Sequence, residues 1–212
     1  MLTRSLISIL ALTFSLNASS AQKAITDDGK VVILNSDRTW QFEDPSINST
    51  PKISVSSKQY TKISSQTFRV KASPTSFGVY INPDKWTFSK DKEESNKLLF
   101  RPKSKELGDI YAMLVAEGIQ VPFESFPAVA LENAKKVAPD IKILNREYRV
   151  VNGNKILYME LEGSVYSVKF RFIGYYCSNE SGTVQLLVYS GSNIVSGKLS
   201  EIEEFLNGFS NK

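Results

Sequence analysis

Leu157-Tyr-Met-Glu-Leu-Glu-Gly-Ser-Val-Tyr-Ser-Val-Lys-Phe170 decides the fold class, because its apolar residues recur at every second position on both sides of a turn signal. A period of two marks a strand with one buried face, and Gly163 in Gly163-Ser164 supplies the positive φ that opens a two-residue type II′ turn. Counting outward, the expected hairpin pairs Leu161 with Tyr166, Met159 with Val168 and Leu157 with Phe170 on one face. On the other face Tyr158 meets Lys169, while Glu160, Lys169 and Arg171 form a solvated cross-strand charge ladder. The reading is an antiparallel sheet with one buried and one amphipathic face.

Working outward, further strands are expected at residues 78–81, 85–89, 97–101, 111–117, 141–151, 155–162, 165–177 and 183–189, all rich in β-branched and aromatic residues. Two helices interrupt them. The first is expected over 127–138, with Pro127 tolerated in the first turn, Pro139 forbidding continuation, and Ala130, Ala134, Val137 and Ala138 on one face. The second is expected over 201–207. Ser200 followed by Glu203 reads as a capping box, Ile202, Phe205, Leu206 and Phe209 recur at helical spacing, and Gly208 offers a stop. Its Glu201, Glu203 and Glu204 suit the positive end of the helix dipole. The fold class is therefore α+β: an antiparallel sheet flanked by helices, an α/β/α sandwich, over residues 67–212.

Three segments precede that domain. In residues 1–21, Arg4 is followed by an apolar run from Leu6 to Leu16 and by small Ser19 and Ala21, the order of a secretory signal whose apolar stretch is too short to span a bilayer. Cleavage after Ala21 places the mature chain in the periplasm or outside the cell, with no stable membrane insertion. Residues 22–44 alternate strand formers with the turn residues Asp28-Gly29 and Asn35-Ser36-Asp37, and read as a small β-hairpin segment. Residues 45–66, rich in Ser, Thr, Lys and Asn and interrupted by Pro51, read as a flexible linker.

Composition restricts the chemistry. The 212 residues are 42% hydrophobic and 23% charged, enough apolar material for a core and too little charge for wholesale disorder. The net charge of +4 becomes +3 once Arg4 leaves with the signal, and the interspersed charges give no basic face for nucleic acid. The chain has no histidine, which removes imidazole acid–base work, Ser-His and Cys-His nucleophiles and every histidine metal site. Cys177 is the only cysteine, so no disulfide forms within the chain, and it reads as a small buried hydrophobe. Asp27-Asp28-Gly29 lacks the alternating oxygen ligands of a calcium loop, and Ser89-Lys90-Asp91-Lys92 lacks the companions of a Ser-Lys nucleophile. No metal, cofactor or catalytic site is expected. Tyr80, Trp86 and Phe88 are the candidates for a binding surface.

Phe77-Gly78-Val79 with Pro83 and Trp86, Gly182-Thr183-Val184-Gln185-Leu186, and the closing helix with Leu206 and Gly208 together resemble the photosystem II extrinsic subunit P superfamily over roughly residues 75–209. That superfamily also includes a Ran-binding nuclear import factor and bacterial envelope proteins. The resemblance implies an antiparallel sheet sandwiched by helices, in proteins that mostly bind other proteins and share no catalytic residues. The expectation is a non-enzymatic exported binding or accessory protein with a protein partner in the cell envelope. Two alternatives stand beside it. One is a glycosidase-like hydrolase using carboxylates such as Glu117, Glu124 and Glu160, which must face each other across a cleft. The other is a carrier of a small apolar ligand held between sheet and helix.

Overall fold

A computed structural model describes residues 22–25, 31–36, 39–43 and 53–211, which fall into two compact units, Met1–Lys52 and Ile53–Lys212. The stretch read as a signal peptide, residues 1–21, lies outside the described residues. In the first unit β1 (Gln22–Ile25), β2 (Val31–Leu34) and β3 (Trp40–Phe42) form an antiparallel meander with Ile25 opposite Val31 and Leu34 opposite Trp40. Val32 is buried, and Trp40 stands edge-on to Phe42 with ring centroids 5.3 Å apart.

The second unit runs β4 (Ser54–Tyr60), β5 (Phe68–Lys71), β6 (Gly78–Ile81), β7 (Trp86–Lys90), β8 (Lys97–Pro102), β9 (Tyr111–Glu117), α1 (Phe126–Lys135), β10 (Lys142–Val151), β11 (Asn154–Val165), β12 (Val168–Asn179), β13 (Gly182–Gly191), α2 (Ser192–Ser196), α3 (Leu199–Leu206) and β14 (Phe209–Ser210). Eight strands make one sheet in the order β4-β10-β11-β12-β13-β9-β8-β7, and β14-β6-β5 make a second of three. All pairs are antiparallel except β4 on β10. The expected α+β sandwich is therefore present, with one parallel edge strand.

That edge strand corrects the linker reading. Ser54–Tyr60 lies inside the stretch taken as flexible, and it pairs with β10 through Tyr148 opposite Val55 and Val151 opposite Tyr60. Its Ser-Lys-Gln composition disguised it because an edge strand is solvated on much of its surface and needs few apolar anchors. Tyr60 is the anchor, buried in the core.

The hairpin is corrected in register. β11 and β12 turn at Tyr166-Ser167, where both residues have positive φ (49° and 66°), with Val165 opposite Val168 and Leu161 opposite Phe172. The observed partner of each β11 residue lies six positions beyond the expected one. Six is even, so every side chain keeps its face, and hydrophobic alternation alone could not choose between the two registers. The longer hairpin pairs Tyr158 with Tyr175 and Glu162 with Arg171 and lets β12 run to Asn179. Gly163 serves a close approach instead of a turn: a Cβ there would lie 2.9 Å from the Cα of Ile141 and 3.0 Å from the Cβ of Ala138. The preceding β10–β11 turn is Asn152-Gly153, both with positive φ, the commonest chemistry for a type I′ hairpin.

The expectation of one buried and one amphipathic face also fails, because both faces of the large sheet are covered, though unequally. Against one face lie the three-stranded sheet, α2 and α3, and this core joins Phe77, Phe209, Ile202, Phe205 and Leu206 to Leu114, Leu186, Val188, Ile173 and Tyr175. Phe205 packs on Trp86 at 4.4 Å and on Phe100 at 5.4 Å between ring centroids. The charge ladder lies on this same side: Arg171 pairs with Glu160 at 3.2 Å and Glu162 at 3.6 Å, with all three side chains largely shielded and Lys169 not part of it.

α3 starts two residues earlier than expected, at Leu199, with Lys198 at the N-cap and no side-chain capping bond, so Ser200 is not a capping-box residue. Its acids are held from outside the helix. Glu204 takes Lys85 at 2.8 Å, and Glu203 takes Lys58 at 3.2 Å and Arg149 at 3.3 Å, which ties the helix to β4, β10 and the turn before β7. The opposite face of the sheet carries α1, whose Phe126 and Ala130, with Ala138 and Ile141 after the helix, cover Leu157, Met159, Leu161 and Tyr176. α1 is ten residues long, and the buried strand residues of its cluster lie on β11 and β12, with Leu187 of β13 packed at the edge.

Candidate functional site

Residues 111–117 read Tyr-Ala-Met-Leu-Val-Ala-Glu, apolar at both parities, as a strand must be when neither of its faces is freely solvated. Ala112, Leu114 and Ala116 enter the closed core, so Tyr111, Met113 and Val115 point to the other face, where they are only half-buried. Strand β13 repeats the pattern. Val184, Leu186 and Val188 are buried, and Gln185, Leu187 and Tyr189 share the open side. Because the α1 cluster reaches no further than Leu187 of β13, the sheet floor over β9 and β8 has no helix above it among the described residues.

Between that floor and the flank of α1 runs a groove of about 410 Å³, lined on the sheet side by Leu99, Met113, Phe172, Leu187 and Tyr189 and on the helix side by Ala134 and Val137. The volume is in the range of small-ligand sites. An aromatic ladder extends from its floor across three strands. Phe170 lies 6.3 Å from Phe172, Phe172 stacks on Tyr189 at 5.8 Å, Tyr189 stacks on Tyr111 at 5.9 Å, and the guanidinium of Arg101 lies 5.4 Å from the Tyr111 ring centre.

Polar groups punctuate the groove. Gln185 and Asn133 line it, and Lys97 with Asp91 forms one end. Burial works against the charge of Lys97, but Glu94 at 3.1 Å and Asp91 at 3.7 Å outweigh it and raise its pKa. The Asp91 carboxyl is held below its ordinary range by the backbone N–H groups of Glu93 and Glu94 and by Lys97. Burial raises the Tyr189 phenol, while Arg101 and Lys97 pull it back, so both cations act on the tyrosine that floors the groove. Arg101 itself is exposed and has no carboxylate partner among the described residues.

A second, smaller recess of about 310 Å³ lies on the closed side, lined by Arg149, Tyr158, Glu160, Ser200 and Glu203 among others. Its groups are already committed to one another. Arg149, 8% exposed, donates to Glu147 at 2.7 Å and Glu203 at 3.3 Å, and its guanidinium lies 3.6 Å from the Tyr158 ring centre and 4.4 Å from that of Tyr60. Burial lowers and the Tyr175 hydroxyl and Glu147 raise the Arg149 pKa, with a net rise, and burial raises those of Tyr158 and Tyr175. The arrangement is a structural cation cage.

The residues singled out from sequence are scattered. Trp86 is 5% exposed and packed on Phe205 in the closed core. Phe88, 41% exposed, sits near Phe68 at 5.8 Å on the sheet edge. Tyr80 lies on β6 in the other sheet, with Lys62 Nζ 5.0 Å from its ring centre. Among the carboxylates, Glu117 ends β9, Glu124 is in the 3-10 turn before α1, and Glu160 is paired with Arg171 on β11. Cys177 is buried, its thiol pushed up to about 12 by burial, which makes it inert as a nucleophile. Among the described residues no group of three or more acids, cysteines or histidines is placed to hold a metal, and no helix is long and apolar enough to cross a membrane. Sequence reasoning missed Gln185, Leu187, Tyr189, Tyr111 and Met113. The signal was available in the doubly apolar run 111–117, which demands a cover on its second face that the one predicted helix on that side is too short to give.

No protein-family model matches the chain, and no curated protein matches it in sequence. Solved structures do. The cyanobacterial PsbP (CyanoP) of Synechocystis sp. PCC 6803 superposes with a TM-score of 0.53 at 11% identity, covering 68% of this chain and 91% of that one. A protein of unknown function from Pseudomonas aeruginosa described as a putative regulator gives a TM-score of 0.42 at 11% identity over 65% of this chain and 91% of its own. A protein from Bacteroides thetaiotaomicron gives a TM-score of 0.43 at 11% identity over 64% of this chain and 45% of its own. At such identity the likeness shows fold alone, and what it shows is a distant, partial resemblance to the PsbP-like sandwich.

Proposed function

We propose that the protein is a non-enzymatic, exported binding protein that docks a protein partner in the cell envelope on the uncovered half of its large sheet, beside α1. The observation that carries the reading is the half-buried apolar floor of Leu99, Met113, Leu187 and Tyr189, flanked by the ladder of Phe172, Tyr189 and Tyr111. A contiguous apolar patch that the described elements of its own unit leave unroofed marks an interaction surface. Aromatic residues beside an arginine are the composition of binding hot spots. Export rests on the signal-like order of residues 1–21.

The carrier reading draws on the same groove, whose volume would admit a small apolar ligand. Its open side favours the protein partner, since a carrier encloses most of its ligand's surface. The carboxylate hydrolase has no support in the recess on the closed side, where Glu160 and Glu203 are each engaged by a guanidinium.

The test is affinity capture from envelope extract with the mature protein and with Val137→Trp, a bulky change at a 62% exposed position on the groove wall. A partner retained by the wild type and lost from the folded variant supports docking here. Equal capture by both places the interface elsewhere and removes this reading.

A further inference from the structure

An apolar groove could receive an acyl chain or a peptide, and its polar atoms discriminate between them. Gln185 stands in the floor between Leu187 and the strand end, and no hydrogen bond engages its side-chain amide among the described residues. Asn133 on the α1 side also lines the groove and accepts from Lys136 Nζ at 3.1 Å through Oδ1, which leaves its NH₂ without a hydrogen bond among the described residues. An acyl chain would desolvate these amides without replacing their bonds to water. A peptide backbone offers both a donor and an acceptor to each. At the far end of the ladder Arg101 lies on Tyr111 with no carboxylate opposite it, and a planar guanidinium matches a carboxylate in two-pronged geometry. Lys97 is already held by Asp91 and Glu94, so Arg101 is the cation with charge to offer.

We infer that the occupant of the groove is a peptide segment of the partner, with bulky apolar side chains on the Leu99–Met113–Leu187 floor, its backbone paired to the Gln185 amide, and an Asp or Glu side chain on Arg101. This rests on the docking reading above and names the chemistry of its ligand. Met113 and Leu187 give the floor pliable side chains that accommodate varied apolar residues. Gln185 supplies register, and Arg101 selects for acidity.

The experiment pans a random dodecapeptide display library against the whole mature protein, then measures one enriched peptide, synthesised with a fluorescein label, by anisotropy. Enriched sequences are expected to carry at least two bulky apolar residues and an Asp or Glu within the same stretch. Val137→Trp should abolish binding. Gln185→Leu should weaken it about tenfold, and Arg101→Gln should weaken it about tenfold and flatten its salt dependence. Palmitate is the counter-probe. Micromolar palmitate binding that tightens in Gln185→Leu would assign the groove to an acyl ligand and overturn the inference. So would failure to enrich any peptide over bare matrix, or peptide binding that Gln185→Leu leaves unchanged. Loss of envelope capture by Val137→Trp without any selected peptide would leave docking in place with a folded surface as partner, whereas failure of both would remove both.

Discussion

The two faces of the eight-stranded sheet differ in how completely they are roofed. On the α3 side a second sheet and two helices bury Leu114, Leu186, Val188 and Tyr175 almost completely, and Arg149, Lys58 and Lys85 fasten α3 from below. On the α1 side the one helix among the described residues is ten residues long, covers chiefly β11 and β12, and leaves Tyr111, Met113, Leu187 and Tyr189 half-exposed. The strands that separate the two faces are the same, so their stability is supplied chiefly from one side. The other side is thereby free to carry apolar residues whose loss the fold tolerates, which is the condition for a binding surface.

The largest effect should separate the faces directly. Phe205→Ala, which empties a ring site between Trp86 and Phe100, should cost about 3–5 kcal/mol in urea unfolding. Met113→Ala on the open face should cost about 1 kcal/mol, because its side chain is only half removed from water. Equal costs would mean that the open face is as much core as the closed one. Arg149→Met should follow at about 2–3 kcal/mol, since it strips the buried partner from Glu147 and Glu203, whose side chains retain some contact with water.

A smaller effect tests the hairpin that runs beneath both faces. Replacing Tyr166-Ser167 by Asn-Gly should stabilise the protein by about 1 kcal/mol, because both positions hold positive φ that Tyr and Ser adopt reluctantly. A destabilisation would contradict the turn's placement. The smallest concerns Asp140, at the exit from α1, whose carboxylate accepts the Ser164 N–H at 2.7 Å, and this bond holds its pKa below the unfolded value of 3.8. A lowered folded pKa means stabilisation present above pH 3.8 and lost as pH falls through the folded value. Asp140→Asn should therefore lower stability slightly at neutral pH and flatten the acid limb of the stability–pH curve below about pH 4, where the wild type has lost the same contribution.

What was legible in the sequence follows from what local patterning encodes. The strand Tyr111–Glu117 and the burial of Ile202, Phe205 and Leu206 on the last helix were readable because alternation and helical spacing are local. Register was not, since a six-residue slip preserves parity, and Asn152-Gly153 carried a stronger turn signal than Gly163-Ser164. The edge strand Ser54–Tyr60 was hidden by its polar composition. The groove was half legible: the doubly apolar run 111–117 signals a second face in need of cover, but which strands α1 leaves open is set by how helix packs on sheet, and local patterning does not encode that. Trp86, chosen for its aromatic character, went to the core, while Tyr111 and Tyr189 took the surface.

The division of the sheet into a structural and a binding face is tested most directly by site-specific photo-crosslinking in envelope extract. A benzophenone amino acid is placed at Val137 on the groove wall in one protein and at Leu199, also exposed but on the α3 side, in another. One discrete adduct is expected from position 137 and none from 199. The same adduct from 199, with position 137 silent, would contradict that division.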